Sequence, residues 1–117
     1  MERPTTGAAP VPRALSTSRR PHGDRTLVVV RGEVDHESRE VLHRCLLSAL
    51  GDSAGGIVLD LAEVSFWDCS SLNVLLTVRR LALCAGKTVT VRAAGPCVRR
   101  VLELTGTLPL FTPGTDN

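Results

Sequence analysis

The run Gly56-Ile-Val-Leu-Asp-Leu61, preceded by Gly55, is short, almost wholly apolar and bounded by glycine. Such a run reads as a strand covered on both faces, because a half-exposed strand would alternate apolar with polar residues. The chain on either side supplies the partners. Thr26 to Arg31 carries the β-branched run TLVVV, Pro21 to Asp24 supplies turn residues before it, and residues 14 to 20 form a weaker strand candidate, so a hairpin opens the domain. His36 to Leu50 sets Leu42, Cys45, Leu46, Ala49 and Leu50 on one helical face, with Asp35 as the expected N-cap and Gly51 as the stop. Ser70 to Ala85 is apolar nearly all round apart from Arg79 and Arg80, which predicts a largely covered helix. Lys87 to Arg92 alternates as a strand, and Pro96 to Thr105 places Val98, Val101 and Leu102 on one face.

The order β-β-α-β-α-β-α predicts a single α/β domain. Strands joined through helices run parallel, so the sheet should be mixed and mainly parallel, with helices packed on it. A chain of 117 residues suits one domain, expected over 14–112. Pro4, Pro10 and Pro12 among Thr, Gly and Ala mark 1–13 as a disordered arm, and 113–117 is a short tail. The aromatics are only Phe66, Trp67 and Phe111, so the core must be aliphatic.

The net charge of +2 has a local origin. Five arginines stand against two acidic residues up to Arg25, while the remainder has nine basic and ten acidic side chains. Without a basic block or aromatics to stack on bases, nucleic acid is not an expected partner. No apolar run is long enough to span a membrane and no leader is evident, so the expected location is the cytoplasm, with no membrane partner. Cys45, Cys69, Cys84 and Cys97 form no C-x-x-C pair and have no histidine at ligand spacing; they read as small buried hydrophobes in a reducing compartment, with no metal site. Phosphate-binding and hydrolase motifs are absent, and no catalytic group is expected.

One stretch stands apart. In Asp60-Leu-Ala-Glu-Val-Ser-Phe-Trp-Asp68-Cys-Ser70-Ser71-Leu72 a strand leads through a connector to a polar cluster that opens an apolar helix. Simple N-capping by Asp68 or a serine accounts for this spacing. The same position also tolerates a phosphate, since unpaired N–H groups and the helix dipole favour negative charge there.

Four segments in order resemble a STAS domain of the anti-sigma factor antagonist family. Gly32-Glu-Val-Asp35 resembles the family's G-E-L-D, Ile57 to Leu61 its third strand, Val64 to Leu72 its phosphoacceptor signature, and Val98 to Gly106 with Leu110-Phe111 its last conserved helix and turn. The resemblance implies a binding protein of transcription regulation that acts by partner switching. Unphosphorylated, it would bind a cytoplasmic anti-sigma factor that is also a serine kinase, freeing a sigma factor. Phosphorylation would end the complex, and a phosphatase would reset it. ATP and magnesium would belong to the kinase, leaving this chain without cofactor or activity. By position Ser70 matches the phosphoacceptor, with Ser71 the second choice, and Asp35, Asp68, Cys69, Ser70, Ser71 and Leu72 make up the expected partner-binding region. Ser71 replaces the family's usual glycine, which predicts added bulk at the helix start, and Cys69 replaces a Ser or Thr. Pro113 and Gly114 soon after Phe111 predict a shortened or missing final helix. Two alternatives are a STAS module that docks without phosphorylation and, more remotely, a thiol or serine enzyme using Cys69 or Ser70 at the helix start.

Overall fold

The β-branched run and the strand before it pair as an antiparallel hairpin. β1 (Ser16–His22) and β2 (Arg25–Glu33) are in register from Ser16 opposite Arg31 to His22 opposite Arg25. Gly23 takes φ +68°, the left-handed region that a two-residue hairpin turn requires. Pro21, expected in the turn, instead pairs within β1, where an edge strand tolerates its missing N–H. A computed structural model describes residues 14–112; the expected arm and tail, 1–13 and 113–117, lie outside the described residues.

The chain continues through α1 (Arg39–Gly51), β3 (Gly56–Phe66), α2 (Cys69–Cys84), β4 (Thr88–Ala94), α3 (Pro96–Leu104) and the four-residue α4 (Leu108–Phe111). The sheet order is β1-β2-β3-β4, with β3 parallel to both β2 and β4. This is the mixed, mainly parallel α/β sheet expected from the alternation. The short α4 is a single turn with Phe111 fully buried; the expected loss of a helix beyond Phe111 falls on 113–117, outside the described residues.

Alternate strand residues build the core. Val28 and Val30 of β2, Ile57, Leu59 and Leu61 of β3, and Val89 and Val91 of β4 join Leu42 and Leu46 of α1, Leu75 and Val78 of α2, Val98 and Leu102 of α3, and Phe111 in one cluster. Trp67 and Phe111 are its only aromatics, so the core is aliphatic as composition required. Val58, on the other face of β3, is also buried, but its neighbour Asp60 is only half-buried, so the two faces are not covered equally.

Four local expectations change. The first helix begins at Arg39, because Asp35 Oδ1 accepts the N–H groups of Glu37 and Ser38 at 3.0 Å each and holds a turn there; the N-cap position falls to Ser38. β3 runs on to Phe66, since Arg31, Gly32 and Glu33 keep pairing with Glu63, Val64 and Phe66 through shifts in register. α2 is covered on one side only: it buries Leu72, Leu75, Val78 and Ala82 but leaves Leu81 and Leu83 exposed. None of the cysteines is fully buried; Cys45 and Cys97 are half-buried, Cys69 and Cys84 exposed, and all four are free thiols.

The glycine that opens β3 is obligatory. Gly56 has φ +125°, and a Cβ there would collide with the Thr88 backbone of the adjacent strand. Gly51, ending α1, has no such neighbour. Gly56→Ala should therefore destabilise the domain by about 2 kcal/mol or more, whereas Gly51→Ala should leave it unchanged or stabilise it by up to about 1 kcal/mol. Urea unfolding of both variants at equal protein concentration checks the contrast.

Candidate functional site

The start of α2 is held by a compact set of hydrogen bonds. Asp68 is its N-cap, with Oδ1 accepting from the Ser71 backbone N–H at 2.7 Å and from the Ser71 hydroxyl at 2.8 Å. The same hydroxyl lies 3.1 Å from the carbonyl oxygen of Val34, so its single proton is shared between helix cap and the chain leaving β2. The Val34 N–H in turn donates to the Phe66 carbonyl at 2.9 Å. The ends of β2 and β3 and the first turn of α2 are thereby tied together.

Burial raises the affinity of Asp68 for a proton, but the Ser71 N–H and hydroxyl and the positive charge of Arg39 outweigh it, so its pKa lies below the usual aspartate value. Asp35 is also lowered, chiefly by the Ser38 N–H and then by the Ser38 hydroxyl.

The two serines end up in opposite environments. Ser71 is fully buried, and Ser70 is exposed. The side chain at 71 therefore adds no bulk to the surface, contrary to expectation: it turns inward because Val34 O and Asp68 Oδ1 offer it partners there. Leu72 is buried in the core and Cys69 is exposed. Of the expected partner-binding residues, Cys69 and Ser70 reach the surface, Asp35 and Asp68 are half-buried, and Ser71 and Leu72 face the interior. Asp35 borders a separate groove with Glu33, Ser38 and Val41.

Ser70 lines a groove of about 390 Å³ between α1 and α2 with Asn73, Val74 and Thr77 on its own helix and His36, Arg39, Glu40 and His43 opposite. The sequence pattern does not point to the α1 side. What the pattern does carry is the spacing: Arg39 and His43 stand one turn apart, as do Ser70, Asn73, Val74 and Thr77 along α2. Spacing alone does not say which polar faces meet. Phe66, at the end of β3, is 45% exposed near this helix start. Among the described residues no group of His, Cys, Asp and Glu could hold a metal, and no helix is long and apolar enough to cross a membrane.

The family model described as Mlab, STAS domain, matches residues 17–108. The chain belongs to the STAS domain family. Among solved structures, the domain is similar to an anti-sigma factor antagonist from Mycobacterium paratuberculosis, at 29% identity over 90% of this chain and 91% of that one, with a TM-score of 0.75. Unphosphorylated SpoIIAA, an anti-sigma factor antagonist, matches at 24% identity over 86% of this chain and 90% of its own, with a TM-score of 0.63. The phosphorylated form of SpoIIAA, described as a Bacillus cell fate determinant, matches at 23% over 88% and 93%, with a TM-score of 0.60. These last two similarities establish the shared fold.

In this STAS domain the Asp68 cap carries a pH signature. A carboxyl with a lowered folded pKa contributes stability that is complete above its unfolded value, near 4, and is lost as pH falls through the folded value. Asp68→Ala should cost about 1–2 kcal/mol at neutral pH, and the deficit relative to wild type should shrink as pH falls below about 4. Ser71→Ala, which strips the Val34 carbonyl of a buried donor, should cost about 1–2 kcal/mol. Denaturant titrations from neutral to acidic pH measure both.

Proposed function

We propose that this STAS domain is an anti-sigma factor antagonist switched by phosphorylation of Ser70. Unphosphorylated, it binds an anti-sigma factor that is also a serine kinase and so releases a sigma factor. Transfer of a phosphate to Ser70 ends the complex, and a phosphatase restores it. The chain acts in the cytoplasm by binding proteins, without chemistry of its own, and ATP and magnesium are held by the kinase.

The observation that carries this reading is the division of labour between adjacent serines: Ser71 is consumed by the fold, and Ser70 stands free at the surface of the same helical turn. A phosphate on Ser70 adds about −1.5 to −2 charges in the first turn of α2, where the helix dipole favours them and the Asp68 carboxylate opposes them. The domain tolerates the anion, while a partner docked on a neutral hydroxyl meets new charge and bulk. The similarity to the mycobacterial antagonist over nine-tenths of both chains supports the same role.

Against the enzyme alternative, no hydrogen bond joins a histidine to Ser70 among the described residues: His43 Nε2 has no partner and His36 Nδ1 is engaged by Arg39.

Calorimetric binding to the cognate anti-sigma kinase tests the proposal. Ser70→Ala should bind as wild type and remain bound when ATP and magnesium are added, whereas Ser70→Asp should weaken binding by about tenfold or more, roughly 1.4 kcal/mol. Equal affinity of Ser70→Asp and wild type would favour a docking module without a phosphorylation switch.

A further inference from the structure

We propose that Arg39 of α1 is the receptor for the phosphate on Ser70, so that the phosphoserine is held within its own domain across the α1–α2 groove. This inference rests on Ser70 being the modified residue. It adds a binding site for a phosphate dianion made by residues that the helix start does not itself contain.

Three observations converge on Arg39. Its side chain and that of Ser70 line the same groove from opposite helices. Its charge is felt at Asp68, two residues before Ser70. Its guanidinium is also under-used: Nε is buried with no partner, and one terminal nitrogen donates to the ring Nδ1 of His36 at 2.8 Å. The ion pairs among the described residues occupy Arg19, Arg31 and Arg99, not Arg39.

A buried guanidinium donor without an acceptor is costly, and phosphate oxygens match the guanidinium fork and carry more charge than a carboxylate. Two carboxylates stand nearby: Glu40 shares the Arg39 wall of the groove, and Asp68, beyond the lining, takes both Ser71 donors on Oδ1. His43 contributes an unpaired Nε2 from one turn along α1, and Asn73 an amide from one turn along α2. His36 accepts from Arg39 through Nδ1, so its proton sits on Nε2. Drawn toward Arg39, the phosphate enters the groove as well as charging it, so phosphorylation changes both the shape and the charge of the surface offered to a partner.

The test uses the full chain with phosphoserine installed at position 70 during translation. No kinase is then needed, and failure of this inference is separable from failure of the proposed function. The probe is the second ionisation of the phosphoserine, ordinarily near 6, followed by phosphorus NMR. In wild type it should lie about half to one unit below its value in Arg39→Gln, a three- to tenfold difference in proton affinity, with Arg39→Lys between. Coincident titrations of wild type and Arg39→Gln would overturn the proposal. Should Arg39→Gln fail to fold, a structure of the wild-type phosphoprotein decides. Arg39 bonded to the phosphate is the expected result, and a phosphate turned to solvent with Arg39 still on His36 would refute the assignment.

Discussion

The hydroxyl of Ser71 is the point on which the site depends. Shared between Val34 O and Asp68 Oδ1, it fastens the first turn of α2 to the chain leaving β2, and the Val34 to Phe66 bond extends the tie to β3. A buried hydroxyl with these partners stabilises the fold only if its geometry is kept, so the turn that carries it is held in one orientation. Ser70, the residue before it, is presented outward as a consequence. A residue without a hydroxyl at the Ser71 position would leave the helix start without the tie to Val34, while the exposed surface would stay as it is.

Electrostatics around this turn has two sides. Asp68 is kept ionised by the Ser71 donors and by Arg39, and its carboxylate offsets part of the helix dipole and of the Arg39 charge. The groove beside Ser70 nevertheless retains an unpaired donor at Arg39 Nε and an unpaired ring nitrogen at His43 Nε2. A surface poised in this way responds to one added dianion more strongly than a surface of paired charges would, because new hydrogen bonds form without old ones breaking.

Much of the architecture was legible in the sequence. The glycine-bounded run became β3, the alternation of patterns set a mainly parallel sheet, and the aliphatic composition set the core. The helix starts were less so. Asp35 and Asp68 both precede helices, yet only Asp68 caps one directly, since Ser38 competes for the same turn and the distinction depends on backbone angles that residue types do not specify. The α1 wall of the groove was not legible, because His36, Arg39, Glu40 and His43 are ordinary solvent-facing residues until the crossover brings them opposite Ser70. Nor was the inward turn of Ser71, which depends on a carbonyl 37 residues away.

The central claim is that the exposed serine carries the switch and the buried one carries the fold. The most direct measurement is site mapping by fragment mass spectrometry after wild-type protein is incubated with the cognate anti-sigma kinase, ATP and magnesium. The account predicts a single phosphate, on Ser70, with none on Ser71. Phosphate on Ser71, or a chain that takes up none from that kinase, would contradict it.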